Sequence, residues 1–206
     1  FSKDNEKYLG SFGDVGCFSM GMISLISIGY GGFITPSTFE LYEDLCYIRD
    51  HGVHRQPEAY KHLGFNFKIS DLLTSLGINQ IKRIDEKINH VNEVYKRYNE
   101  GLDGLLKVKV LPVDIGGGKV PIYTEVYCEE RESLTNYLMK NNIQISNFHV
   151  SINNANYLES KGFFPNAERF TRNSFIVPSG PSMPIESVDK VIKIIMQWEN
   201  RHKSHN

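Results

Sequence analysis

From Val15 to Phe39 the chain carries no charged residue, and Val15 to Thr35 (VGCFSMGMISLISIGYGGFIT) is long enough to cross a hydrocarbon core as a helix. Such a stretch must either enter a membrane or be covered by other protein. Its make-up decides between the two. Gly16, Gly21, Gly29, Gly31 and Gly32 and three serines interrupt it, and no basic cluster flanks it. Strands covered on both faces of a sheet also read as unbroken apolar runs. The expectation is therefore two buried strands, Gly13 to Met20 and Gly31 to Pro36, joined by a glycine-rich loop, with no membrane span.

Charge balance narrows the partners. Among 206 residues there are 23 basic and 24 acidic side chains, a net charge of −1, which gives no electrostatic reason to bind nucleic acid or an anionic membrane. Cys17, Cys46 and Cys128 lie far apart with no CxxC pair, a pattern of reduced thiols that suits a cytoplasmic protein rather than a disulfide framework. The chain opens on Phe1, and Phe1 to Lys7 lacks the apolar core of a signal peptide, so it is expected to begin inside a longer reading frame.

After Pro36, Ser37 or Thr38 is placed to cap a helix running to about Arg49, with Gly52 beyond its end. Residues 53 to 69 show no period and read as an ordered loop. From the cap Ser70, the apolar positions Ile81, Ile84, Ile88, Val91, Tyr95, Tyr98 and Leu102 recur every three or four residues, which predicts one long amphipathic helix closed by Gly101 and Gly104. Strands are predicted at Val108 to Leu111, Val120 to Cys128 and Ile143 to Phe148. Helices are predicted at Glu130 to Asn141, at Asn166 to Thr171 and from Pro184 onward. The fold class is mixed α/β, divided as 1–69, a linking helix 70–104 and a C-terminal α/β region 105–206.

Local motifs alone carry little chemistry. Gly10, Gly13 and Gly16, and Gly29, Gly31 and Gly32, have neither the dinucleotide nor the P-loop spacing. His51, His54 and His62 lack a second ligand pair, so no metal site is expected. No nucleophile-elbow signature occurs.

Taken in order, several segments resemble the DegT/DnrJ family of pyridoxal-phosphate-dependent nucleotide-sugar aminotransferases, which are fold-type-I enzymes. Ser11-Phe-Gly-Asp-Val-Gly-Cys-Phe-Ser19 is similar to the family's GSFGDIGCFSF strand, and Gly29-Tyr-Gly-Gly-Phe-Ile-Thr35 to its GEGG strand. Arg49-Asp-His-Gly52 and Gly64-Phe-Asn-Phe-Lys-Ile-Ser-Asp71 resemble its R-x-H-G and G-[YF]-N-[YF]-R-[ML]-S-D stretches. Gln80 to Asp85, Phe164 to Arg169 and Val177 to Val188 resemble the family's QL-x-R-[IL]-D, PNAER and final-helix regions.

The resemblance implies the trailing strands of a large cofactor domain, a linking helix and a small α/β C-terminal domain. It also implies pyridoxal phosphate as cofactor, a nucleotide-sugar substrate for amino-deoxy sugar or surface polysaccharide synthesis, and a homodimer or a complementing N-terminal chain. It assigns Ser19 to the cofactor phosphate and Asn66 to the same phosphate across the dimer, with Lys68, where the family usually has Arg, adding charge nearby. His149 falls in the segment that faces the sugar, while Asn153 stands where a second histidine is common.

Two departures follow. The Schiff-base lysine expected five residues after the phosphate serine is Ser24 here, and no lysine lies in Met20 to Ile28. The family's upstream D-x-A-[QH] stretch, with the Asp that pairs with the pyridine nitrogen, does not occur in Phe1 to Gly10. Both point to a truncated or inactive form of such an enzyme, and they open two alternatives: a non-catalytic binding or partner subunit, or a lysine-less protein like the sugar 3-dehydratases, which carry histidine at this place.

Overall fold

The uncharged segment folds as strands, not as a helix. In the computed structural model, which describes residues 1–53, 55, 60–147, 150–158 and 162–203, two compact units separate inside a helix. One comprises Phe1–Lys87 with Asp114–Lys119, and the other Ile88–Val113 with Val120–Asn206.

In the first unit, β1 (Lys3–Asp4) and β2 (Lys7–Tyr8) form a short hairpin that sequence reading missed. Its turn residues Asn5 and Glu6 both take positive φ, 45° and 67°, the primed geometry that matches strand twist. β3 (Val15–Ser19) then pairs antiparallel with β4 (Gly32–Pro36), in register from Val15↔Pro36 to Ser19↔Gly32. These strands are not buried on both faces, contrary to expectation. Gly16 is the one buried residue of β3, and Gly32 to Thr35 are all exposed. Two strands with α1 set against β4 make too small a layer to bury both faces. What is buried in the segment is the loop between the strands, at Leu25, Ile26 and Ile28. Gly31 closes that loop at φ 133°, where an added Cβ would fall 2.7 Å from Ile69 Cδ1. Among the described residues no helix is long and apolar enough to cross a membrane.

Thr38 caps α1 (Phe39–Arg49), its Oγ1 accepting the Leu41 N–H at 3.2 Å. Gly52 ends it in the left-handed region (φ 82°), donating its N–H to Tyr47 O at 2.7 Å. Ser70 caps α2 (Asp71–Ile81). The single helix expected over 70–104 is instead two, α2 and α3 (Ile84–Gly101). The break is a change of hydrogen-bond spacing rather than a Gly or Pro. Arg83 N–H bonds back three residues to Gln80 O (3.2 Å), tightening one turn before Lys87 N–H resumes the regular ladder to Arg83 O (3.2 Å).

The second unit holds a three-stranded antiparallel sheet in the order β5 (Val108–Val110), β6 (Thr124–Cys128), β7 (Ser174–Val177). Around it lie α4 (Arg131–Lys140), α5 (Pro165–Asn173) and α6 (Ile185–Lys203). Tyr98 of α3 and Leu102 just beyond it, Leu134 and Leu138 of α4, and Val188, Val191, Ile195 and Trp198 of α6 pack with Val126, Phe175 and Val177 in one core. The strand expected at Ile143 to Phe148 reduces to one bridge, Ser146↔Ile176, because Ile143 N–H is taken by Leu138 O at 3.0 Å in closing α4. Phe148 lies outside the described residues. The edge position belongs to β7, all four residues of which are buried. Fully buried Glu199 accepts from the Leu106 and Lys107 N–H groups at 2.7 and 3.1 Å, satisfying the turn that follows α3.

Candidate cofactor site

Ser19 ends β3, and its Oγ accepts the Gly21 N–H at 3.1 Å. The hydroxyl hydrogen is thereby left to donate to an anion. Beyond it the chain doubles back: Met20 N–H bonds Gly31 O at 2.9 Å, and Ile28 N–H bonds Met20 O at 3.0 Å. Ser24 sits at the bend, half-buried, its N–H on Gly21 O at 3.1 Å. The loop is gripped from the two helices that follow Ser70. Gln80 Nε2 donates to Ser27 O at 2.8 Å, and Lys87 Nζ donates to Leu25 O at 2.8 Å and to Gln80 Oε1. Burial pushes the Lys87 ammonium below its ordinary value.

Asn66 lies elsewhere in the same unit, on a segment paired with the end of α1. It forms an antiparallel bridge with Asp50, flanked by Phe67 N–H to Arg49 O (3.0 Å) and His51 N–H to Phe65 O (3.1 Å). Its Oδ1 receives a long contact from Lys68 N–H at 3.4 Å, and its amide NH₂ keeps two hydrogens to donate. Asp50 binds Lys68 Nζ through Oδ1 at 2.8 Å and Arg49 Nη2 through Oδ2 at 3.0 Å. Lys68 first and Arg49 second hold its carboxyl down at about 2. Arg49 also borders a cleft of about 400 Å³ lined by Phe33, Ile34, Tyr42, Ile48 and Phe67.

The structure thus puts Ser19 and Ser24 on one loop and Asn66 on another segment. Among the described residues no hydrogen bond joins Ser19 to Asn66. His149 lies outside the described residues. Val150 and Ser151, which follow it, line a separate cleft of about 560 Å³ in the second unit with Asn153, Phe164 and Phe170. His62 bonds Asp44 Oδ1 at 3.1 Å, and His54 lies outside the described residues. Gln80, Lys87 and Asp50 are the site residues that sequence reading gave no role, since each acts through a partner remote in sequence.

Against pyridoxal phosphate the fit divides. A serine hydroxyl and a carboxamide, both with hydrogens to give, suit its phosphate. The covalent anchor does not fit, for Ser24 offers a hydroxyl where an amine is needed.

The fold is that of the pyridoxal-phosphate-dependent sugar aminotransferases. Residues 2–196 match the DegT/DnrJ/EryC1/StrS aminotransferase family, and the chain belongs to it. It is 28% identical over 204 residues to the GDP-perosamine synthase of Escherichia coli O157:H7, covering 96% of this chain and 55% of that relative. Among solved structures, aminotransferase TlmJ from Streptoalloteichus hindustanus superposes at TM-score 0.90 with 20% identity, over 98% of this chain and 56% of that one. The E. coli GDP-4-keto-6-deoxy-D-mannose-3-dehydratase with bound hydrated PLP superposes at TM-score 0.83 with 19% identity, over 94% and 57%. The chain therefore spans a little over half the length of these relatives.

Proposed function

We propose that this chain works in a pyridoxal-phosphate-type, nucleotide-sugar-modifying protein of amino-deoxy sugar or surface polysaccharide synthesis, and that it holds the cofactor without a covalent lysine anchor. The observation that carries this is Ser24: the loop of a sugar-aminotransferase fold has no amine of its own, and Lys87, the amine that reaches it, is committed to Leu25 O and Gln80 Oε1. Pyridoxal phosphate, when bound, supplies the electron sink for chemistry at the sugar carbon. The chain's part is to bind and orient it. Ser19 donates to the phosphate, Asn66 of a second copy donates to the same group, and the sugar contact is assigned to His149. On this reading the chain acts as a cytoplasmic homodimer, with residues 1–69 in the cofactor domain, 70–104 linking and 105–206 forming the small domain. Three free cysteines suit that compartment.

A second reading, a non-catalytic partner subunit, is supported by the uncovered faces of β3 and β4, which suit burial against another chain.

The test is covalent trapping. The purified chain is mixed with pyridoxal phosphate, reduced with borohydride and mapped by mass. No site-specific adduct is expected on the wild type, and Ser24→Lys should acquire one at position 24. A stoichiometric wild-type adduct at a single lysine overturns the proposal. Retention of unreduced cofactor through gel filtration distinguishes non-covalent binding from the partner-subunit reading.

A further inference from the structure

Asp50 stands between two cations on the edge that carries Asn66. Each of its carboxylate oxygens is taken by a different one, Oδ1 by the Lys68 ammonium and Oδ2 by the Arg49 guanidinium. A planar guanidinium and a point-like ammonium converging on the two oxygens of one anion is also the donor set that recognises a phosphate. Exposure orders the three groups. The Arg49 and Lys68 side chains are 46% and 54% exposed, and Asp50 only 18%, so the carboxylate sits behind the cations it gathers. The backbone bridge Asp50↔Asn66 sets the Asn66 main chain opposite that of Asp50. Two other charges of α1 are engaged elsewhere, Glu43 with Arg55 and Asp44 with Lys61 and His62.

We propose that Arg49 and Lys68 are an anion-binding pair for a phosphate-bearing ligand at the Asn66 edge, and that Asp50 is its built-in competitor, an internal carboxylate that the ligand must outbid. The proposal rests on the reading that Asn66 meets a phosphate, and adds to it the residue that restrains that binding. Two cations and one anion leave a local charge of +1. Entry of a phosphate draws the Lys68 ammonium, and in part the Arg49 guanidinium, away from Asp50. The edge therefore discriminates by charge, because a dianion repays the broken ion pairs and a monoanionic carboxylate does not.

The experiment titrates inorganic phosphate into the full chain at low salt, read by phosphorus NMR line width, in wild type, Asp50→Asn, Lys68→Met, Asn66→Ala and the control Asp44→Asn. The expected result is an affinity raised about three- to tenfold in Asp50→Asn, the size set by removing one charge a few ångströms from a dianion in a water-facing site. Lys68→Met should bind several-fold more weakly, Asp50→Asn/Lys68→Met should lose the gain, and Asp44→Asn should match wild type. Repeating the series with pyridoxal 5′-phosphate and with a nucleoside diphosphate tells which phosphate the edge takes, and the gain must appear with at least one of them. Unchanged or weaker binding by Asp50→Asn overturns the proposal. So does unchanged binding by Lys68→Met, which remains decisive should Asp50→Asn fail to fold. If Asp50→Asn tightens binding while Asn66→Ala leaves it untouched, the competitor stands and the role given to Asn66 falls.

Discussion

Lys87 Nζ donates to the carbonyl oxygen of Leu25 at 2.8 Å, tying the first turn of α3 to the residue that follows Ser24. With Gln80 on Ser27 O, it makes the conformation of the Met20–Ile28 loop depend on side chains more than fifty positions away. Replacing Lys87 by Met should cost about 1–2 kcal/mol, since a half-buried carbonyl and the Gln80 amide oxygen both lose a donor. Urea unfolding measures the loss, and limited proteolysis should show faster cleavage within 20–28.

Acid should remove one identifiable contribution. The Asp50 carboxyl is lowered from 3.8 to about 2 by Lys68 and Arg49. Because the folded value lies below the unfolded one, its stabilisation is complete above the unfolded value and drains away as pH falls through the folded one. The stability difference between wild type and Asp50→Asn should therefore be constant above about pH 5 and shrink between about pH 4 and 2. Urea midpoints collected across that range read it directly, and a difference that stays flat down to pH 2 contradicts the ion-pair geometry.

Tyr98 is fully buried, and its hydroxyl donates to Pro178 O at 2.8 Å. Burial alone pushes its pKa up. Tyr98→Phe keeps the ring in the core but strands the proline carbonyl, so a loss of about 1–2 kcal/mol is expected. Thermal unfolding of the two proteins gives the number.

The β3–β4 hairpin offers apolar side chains and open edges, with Phe33 45% and Ile34 50% exposed. Such a surface promotes self-association. Ile34→Lys should lower the association seen by sedimentation velocity at raised protein concentration without changing the far-ultraviolet circular dichroism.

Residues that act on their near neighbours were legible in the sequence. Thr38 and Ser70 were readable as caps because the groups they satisfy lie three residues on. The α6 stripe of Val188, Val191 and Ile195 was readable because all three face one core. The turn at Lys82 and Arg83 was not, because apolar spacing of three and four continues through it and only the backbone bonds change. β7 was missed because four consecutive buried residues show no alternation. At the site, Ser19 and Asn66 entered through the family resemblance. The grip of Gln80 and Lys87 on the loop carries no local signal, and the Asp50 clasp needs α1 and the Asn66 segment brought side by side.

The carboxylate of Glu199 closes the turn at Leu106 and Lys107, contacts that span 93 and 92 positions of sequence. During synthesis those two amides, made early, wait for a partner from the last helix. Until residue 199 has been made, the second unit lacks both the last helix of its core and the acceptor for the turn after α3, so its folding waits on contacts of long sequence separation.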